Sequence, residues 1–163
     1  EELRYFSAGE SVMPFVSRRL GKIGVAICED SWHLSVPYLL AVQGAKMLVS
    51  IDASPLRMDG STGELAVAKK REMMNCTYAN LLSLYVAFAN RAGNEDGVSF
   101  WGGSQFINPN GNIIAEAAKF VEATVDAAFD LAAVKRARLA SSHFSDEDTR
   151  LTRDELQRIL SQK

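Results

Sequence analysis

The segment Gly21-Lys22-Ile23-Gly24-Val25-Ala26-Ile27-Cys28-Glu29-Asp30-Ser31-Trp32 decides how this chain of 163 residues folds. Its apolar, partly β-branched run over residues 23–27 predicts a buried strand. Residues 29–31 are of types that favour a helix N-terminus, and the mostly apolar pattern over 32–43 predicts the helix itself. Cys28 therefore stands at a strand-to-helix corner, where a side chain at the mouth of a sheet can act as a nucleophile.

The composition is that of an ordinary globular protein with one domain, since 47% of the residues are apolar and 23% are charged. A net charge of −2 gives no electrostatic reason to expect nucleic acid or an anionic membrane as a partner. No apolar run approaches ~20 residues, so we expect no transmembrane helix, and the opening residues do not predict a signal peptide. Two cysteines do not make a disulfide framework, so we predict a reducing, cytoplasmic setting.

The order of predicted elements indicates an α/β fold with a parallel or mixed sheet covered by helices. Buried strands are predicted over 45–51 and 84–89, with a long helix over 64–82 between them. The turn 108–111 then predicts an antiparallel hairpin between strands at 104–107 and 113–117. Further predicted elements are strands at 12–16 and 120–129 and helices at 130–140 and 152–160.

Cys28 has two readings when it is judged on spacing alone. A buried cysteine at a strand end is most often a small hydrophobic residue. A thiol beside the first amides of a helix is instead favoured as thiolate, and the amides can hold an oxyanion. The helix end contributes only about 0.3–1 kcal/mol, however, while Glu29 and Asp30 oppose ionisation. A reactive Cys28 therefore needs a cation or base from elsewhere, and neither His33 nor His143 is well placed to supply it.

Cys76 and the acidic segment 94–97 are two further candidates for a chemical role. Cys76 lies beside Met73 and Met74 in the long predicted helix, which favours core packing. The acidic segment 94–97 is either a metal loop or a solvated turn, and the turn is favoured because acidic turn residues are usually solvated. We predict neither a metal nor a cofactor.

At this point the sequence resembles a known family. Residues 24–32 resemble the nucleophile segment of the carbon–nitrogen hydrolase (nitrilase) superfamily. Asn90-Arg91-Ala92-Gly93, followed by 100–104 and 108–111, is similar to its second signature, and Ala53-Ser54-Pro55 also fits. The resemblance implies a four-layer α-β-β-α sandwich of α/β class with a mixed sheet.

The same resemblance divides the chain and assigns roles. Residues 1–140 would be the C-terminal portion of a carbon–nitrogen hydrolase domain, and 141–163 a helical tail able to contact a partner subunit. The family uses a Glu–Lys–Cys triad, in which Cys28 matches the nucleophile and the backbone N–H of Glu29 would be one oxyanion donor. Glu2 resembles a second glutamate that many members carry, with Glu1 the weaker match.

The departures from the family pattern are the general-base glutamate and the lysine, which have no counterpart in this chain. Lys22, in the strand before Cys28, does not match the lysine motif. The sequence therefore resembles roughly the C-terminal half of the fold, and we expect these residues to be inactive alone. The missing lysine would be the cation that the argument above requires.

The leading hypothesis is hydrolysis of a non-peptide carbon–nitrogen bond, in a small amide rather than a nitrile, through a cysteine acyl-enzyme. Trp32, His33 and Ser54 are candidate substrate-binding residues. The alternatives are a glutaminase that supplies ammonia to an NAD synthetase, and a non-catalytic assembly module. The apolar surface of the helix after Cys28 favours a homodimer or a higher homo-oligomer.

Overall fold

The computed structural model describes residues 4–7, 9–56 and 65–162. Within these ranges, strands and helices alternate in the first half and hairpin strands follow. The elements are β1 (Phe15–Ser17), β2 (Gly21–Ile27), a 3-10 helix (Cys28–Trp32), α1 (Ser35–Val42), β3 (Met47–Asp52), α2 (Ala66–Leu81), β4 (Tyr85–Asn90), β5 (Ala92–Glu95), β6 (Val98–Trp101), β7 (Gln105–Ile107), β8 (Ile113–Glu116), α3 (Leu131–Ala140) and α4 (Thr149–Leu160). Among them, no helix is long and apolar enough to cross a membrane.

The main sheet has the strand order β1-β2-β3-β4-β7-β8, and β5 and β6 form a separate hairpin. The strands β2, β3 and β4 are parallel, while β1, β7 and β8 run antiparallel to their neighbours. In the parallel register Ile27 lies opposite Ile51, and Asp52 lies opposite Asn90. The predicted α/β class with a mixed sheet is confirmed, and the carboxyl ends of three strands meet at one edge.

The helices α1 and α2 cross over between the parallel strands and cover one face of the sheet. Buried residues of this layer include Ala26, Leu40, Leu48, Tyr78, Val86 and Ile107. Gly24 allows the close approach of α1, because a Cβ there would lie 2.8 Å from Leu40 Cδ1. A glycine in the middle of β2 thus sets the distance between sheet and helix.

The opposite face is covered only in part, by α3 and the segment before it. Val134 of α3 packs against Ile23, Met47 and Tyr85, and the Phe129 ring contacts the Tyr85 ring at a tilt of 54° with centroids 4.8 Å apart. Three side chains of the same face remain open: Val25 is 40% exposed, Ile27 60% and Ile51 50%. An uncovered apolar strip therefore runs beside the carboxyl end of β2 and β3.

Two predicted elements differ from the structure. The helix predicted over 32–43 is replaced by the 3-10 helix Cys28–Trp32 and by α1, which begins at Ser35. Pro37 lies in the first turn of α1, where its missing N–H has no intrahelical partner to lose. The connection turns at His33, whose carbonyl accepts from the Val36 N–H at 2.9 Å.

The strand predicted over 120–129 does not form. Phe120 has a φ of 66°, which turns the chain away from the direction of β8. The segment then crosses the open sheet face, where Ala123 and Val125 share a cavity with Ala87 and Phe106. Of its apolar residues, Val125 and Phe129 are half-buried, whereas Val121 is 53% exposed, and none of them pairs in a strand.

The remaining predictions are confirmed with shifted ends. The long helix is α2, and the last two helices are α3 and α4. Only Phe15–Ser17 pairs in the first predicted strand, because Pro14 has no N–H to donate. The acidic segment 94–97 closes the β5–β6 hairpin, with φ of 51° at Asp96 and 80° at Gly97.

Candidate active site

Cys28 is the first residue after β2, and its backbone is left-handed with a φ of 48°. Few non-glycine residues adopt this conformation, and it persists only where neighbouring contacts enforce it. The side chain is partly buried. The corner predicted from the sequence is therefore present, as a strained turn into a short 3-10 helix.

Side chains of the turn itself close this corner. The Ile27 N–H donates to Asp30 Oδ2 at 3.0 Å, and Ser31 Oγ donates to the Cys28 carbonyl at 2.7 Å. The Asp30 carboxylate thus holds the backbone of the turn. The other acidic side chain, Glu29, is 70% exposed, with its Oε1 4.0 Å from Nε2 of His33.

A buried polar network lies under the corner and is centred on Arg71 of α2, whose side chain is 1% exposed. Its Nη1 donates to Ser31 Oγ at 2.6 Å, and its Nη2 donates to Asp52 Oδ1 at 2.7 Å. The same Nη2 lies 2.5 Å from Ser50 Oγ. Tyr78 donates its hydroxyl to the Ser31 carbonyl at 2.9 Å. The network joins α2, β3 and the Cys28 corner.

The opposite charges of this network are buried together under the corner. Burial lowers the pKa of Arg71, and the interactions with Asp52 and then with Cys28 oppose that effect. Burial likewise raises the pKa of Asp52, and the Arg71 guanidinium opposes it. The structure therefore places a buried cation, paired with Asp52, beneath the Cys28 corner.

Sequence reasoning missed Arg71, although the sequence carried a signal for it. Residues 68, 71, 75, 78 and 79 are the buried positions of α2 and share one helical face. A charged residue on a buried stripe needs a partner of opposite charge. Asp52, the last residue of β3, is the partner that the parallel register provides.

Asn90, the last residue of β4, ties the family-like motifs to the same edge. Its Oδ1 accepts from the Ser54 N–H at 2.9 Å, and its Nδ2 donates to the Gly102 carbonyl at 2.9 Å. Its own N–H donates to Ser104 Oγ at 3.0 Å. The segments 53–55, 90–93 and 100–104 therefore meet beside the corner because one amide side chain links them.

The structure separates the predicted substrate-binding residues. Trp32 is half-buried and lines an open cleft of about 400 Å³ with Glu29, Ala66, Val67 and Lys70. His33 is 64% exposed and is not part of that lining. Ser54 is buried at the carboxyl edge.

The second predicted glutamate and the second cysteine have different outcomes. Glu2, like Glu1, lies outside the described residues. Cys76, on α2, is partly buried and packs against the core, as predicted. Burial raises the pKa of the Cys76 thiol, and the nearby Glu72 adds to this effect. The thiolate form of Cys76 is therefore disfavoured.

Known proteins match this chain over most of its length. A family model described as carbon-nitrogen hydrolase matches residues 2–139. The chain is 31% identical over 140 residues to a glutamine-dependent NAD(+) synthetase of Aquifex aeolicus, covering 85% of this chain and 23% of that protein. It is 30% identical over 154 residues to an N-carbamoylputrescine amidase of Arabidopsis thaliana, covering 90% of this chain and 51% of that protein.

Solved structures give the same fold. A carbon-nitrogen hydrolase from Helicobacter pylori G27 superposes with a TM-score of 0.85 at 22% identity, over 96% of this chain and 56% of that chain. Saccharomyces cerevisiae Nit3, a member of branch 10 of the nitrilase superfamily, superposes with a TM-score of 0.70 at 25% identity, over 84% of this chain and 47% of that chain. The chain thus spans about half the length of these two solved proteins.

Proposed function

The chain belongs to the carbon–nitrogen hydrolase family, and from this membership we propose that Cys28 is the nucleophile of an enzyme that hydrolyses small amides. The observation that carries the proposal is the left-handed backbone of Cys28 at the carboxyl edge of a parallel sheet. Open α/β sheets bind their ligands at this edge. A strained corner there presents one side chain to a ligand.

The proposed reaction has two halves. The Cys28 thiolate attacks the amide carbon, a carbon–sulfur bond forms, and the oxyanion is held by donors that include the Glu29 N–H. The carbon–nitrogen bond then breaks, and ammonia or an amine leaves with one added proton. Water attacks the thioester, which releases the acid and restores the thiol. The protons pass through a general acid–base group, a role the family resemblance gives to a glutamate that this chain does not match.

The test uses the complete protein that contains this chain, with ammonia release measured over a panel of small amides, N-carbamoyl amines and nitriles. We expect Cys28→Ala to abolish turnover, because the acyl-enzyme can no longer form. The matched control is Cys76→Ala, which changes the second thiol, whose pKa is raised by burial, and should retain turnover. A Cys28→Ala protein with unchanged turnover would refute the proposal.

A glutaminase is the second candidate, favoured by the relative of 31% identity that is a glutamine-dependent NAD(+) synthetase. In this case the same Cys28 chemistry would act on the side-chain amide of glutamine, and the ammonia would pass to a synthetase. Glutamine belongs in the substrate panel for this reason. Ammonia release from glutamine alone would favour the glutaminase, and release from other amides would favour an amidase.

Self-association is the third element of the proposal, with a second copy of this chain as the partner. An apolar groove of about 570 Å³ lies between α1 and the tail, lined in part by Leu34, Leu39, Leu81, Phe144 and Leu156. None of the described α4 residues is buried, although that helix is amphipathic. Sedimentation of the complete protein should give a dimer or a larger assembly, which Leu39→Asp would dissociate. A monomeric wild-type protein would rule this out.

A further inference from the structure

We propose that Arg71 is a positioning residue for Cys28, because it holds, through Ser31, the left-handed corner on which the thiol stands. The inference deepens the proposed function and rests on it, since it takes Cys28 as the nucleophile. It assigns a role to a buried charge on α2 that the proposed reaction does not otherwise use.

The directions of the hydrogen bonds define a chain of contacts from Arg71 to the corner. Ser31 has one hydroxyl proton and gives it to the Cys28 carbonyl at 2.7 Å, so it accepts from Arg71 Nη1 at 2.6 Å. Ser50 donates to Asp52 Oδ1 at 2.8 Å and is 3.4 Å from Ser31 Oγ. Arg71 is therefore the group that fixes the Ser31 hydroxyl for its contact with Cys28.

The shape of the guanidinium matters here as much as its charge. One Nη atom meets the corner and the other meets β3, so a single planar group sets the distance between them. A lysine ammonium is a point charge and cannot span both partners with fixed geometry. The carbon Cζ also lies 4.8 Å from the centre of the Phe88 ring and 5.7 Å from that of Trp32. These contacts leave the Arg71 guanidinium little freedom to move.

The network leaves buried polar atoms without hydrogen bonds, so stability alone does not account for it. Among the described residues, Asp52 Oδ2 and Arg71 Nε are buried without a hydrogen-bond partner. Buried ion pairs often add little net stability, so their presence alone does not explain the arrangement. A left-handed non-glycine residue costs about 1–3 kcal/mol and needs contacts that enforce it. The Ser31 bond to the Cys28 carbonyl is one of these contacts.

The experiment compares Arg71→Lys and Ser31→Ala in the complete protein with the matched control Arg138→Lys, at an arginine remote from the corner. We expect both corner variants to lower kcat about 10- to 100-fold with KM within about twofold, since small misplacements of a reacting group have effects of this size. Arg138→Lys should leave kcat and KM unchanged.

Alkylation of Cys28 by iodoacetamide gives a second readout that needs no substrate. Its rate is followed against pH by mass spectrometry of the Cys28 peptide, with Cys76 as the internal reference. We expect Arg71→Lys to slow alkylation at pH 7 about tenfold and to move the profile to higher pH, because the displaced cation stabilises the thiolate less well. Ser31→Ala, which keeps the guanidinium, should shift the pH profile much less.

The outcomes separate the two proposals. If the wild type releases no ammonia from any amide, the proposed function fails, while the alkylation profiles still report on Arg71. If Arg71→Lys and Ser31→Ala are less stable but match Arg138→Lys in kcat and alkylation, Arg71 is merely structural and the inference is overturned. Should Arg71→Lys fail to fold, Ser31→Ala decides, because it keeps the Arg71–Asp52 pair.

Discussion

An arginine lies at each end of the parallel strands β2, β3 and β4, and the two guanidinium groups have different partners. At the carboxyl end, Arg71 is fully buried and pairs with Asp52 at 2.7 Å. At the amino end, the half-buried Arg138 donates to the Ala45 carbonyl at 3.4 Å and lies over the Phe144 ring, 4.8 Å from its centre. Among the described residues, Arg138 forms no ion pair.

The amino end gathers like charges, whereas the carboxyl end balances them. Burial lowers the pKa of Lys46, and the positive charges of Arg138 and Lys22 lower it further. Lys22 is exposed and donates to the Gln43 carbonyl at 2.8 Å, where it complements the end of α1. The burial of Arg138 lowers its pKa as well, and no carboxylate among its described contacts compensates for it. Fixed polar geometry is concentrated at the end that carries Cys28.

The largest effect should come from Arg71→Met. The change leaves the buried Asp52 carboxylate without its cation, which typically costs about 3–5 kcal/mol of unfolding free energy. Urea denaturation measures this loss. Adding Asp52→Asn in the same protein should restore a large part of it, because the uncompensated charge is then gone. An Arg71→Met protein as stable as Arg138→Met would mean that the two ends do not differ in this way.

The sequence sufficed for the corner and for the fold class. The apolar run before Cys28, the alternation of strands and helices, and the 108–111 turn each depend on local pattern, and each is confirmed. The strand predicted over 120–129 is wrong, because Phe120 turns the chain at its start and the segment pairs with no strand. An alternating pattern of apolar residues does not distinguish a paired strand from an extended segment that lies over a sheet.

The buried arginine under the corner could not be predicted from local pattern, for a different reason. The electrostatic argument from Glu29 and Asp30 required a positive charge near Cys28, and the family resemblance pointed to a lysine that the chain does not contain. Arg71 lies 43 positions after Cys28 and reaches the corner only because α2 packs over β3. Contacts between residues so far apart in sequence follow from the packing of elements, which composition and spacing do not specify.

A smaller effect is expected from Arg138→Met at the amino end. No buried carboxylate loses its partner through the change, so the unfolding free energy at pH 7 should fall by less than about 1 kcal/mol.

The direction in which stability changes with pH at this end follows from the pKa of Lys46. A pKa lowered in the folded state means that the unfolded chain binds more protons, so the Lys46 contribution to stability rises with pH between the folded and unfolded values.

Removing Arg138 takes away one cause of the lowered Lys46 pKa, so this rise should be shallower in Arg138→Met than in the wild type. Denaturation between about pH 8 and pH 10.5 covers the window in which lysine titrates. Lys46→Met is the control, because it removes the titrating group and should flatten the same part of the curve. An identical slope in wild type and Arg138→Met would show that the cations at the amino end do not interact.

The smallest effect is expected at Asp130, which caps α3 and so supports the helix that carries Arg138. The Arg136 hydrogen bond at 2.7 Å and then the Ala132 N–H at 2.8 Å lower the pKa of Asp130. A lowered folded pKa adds stability above the ordinary aspartate range, and this is lost as pH falls through the folded value. Asp130→Asn keeps the cap but not the charge, so its melting temperature should lie slightly below wild type at pH 7 and converge with it in acid. Arg136→Gln retains the capping carboxylate but removes the larger cause of its lowered pKa. The melting temperature of this variant should therefore fall less between pH 7 and acid than that of the wild type. If neither variant alters the pH dependence, the start of α3 does not rely on this charge, and apolar packing such as that of Val134 holds the helix in place.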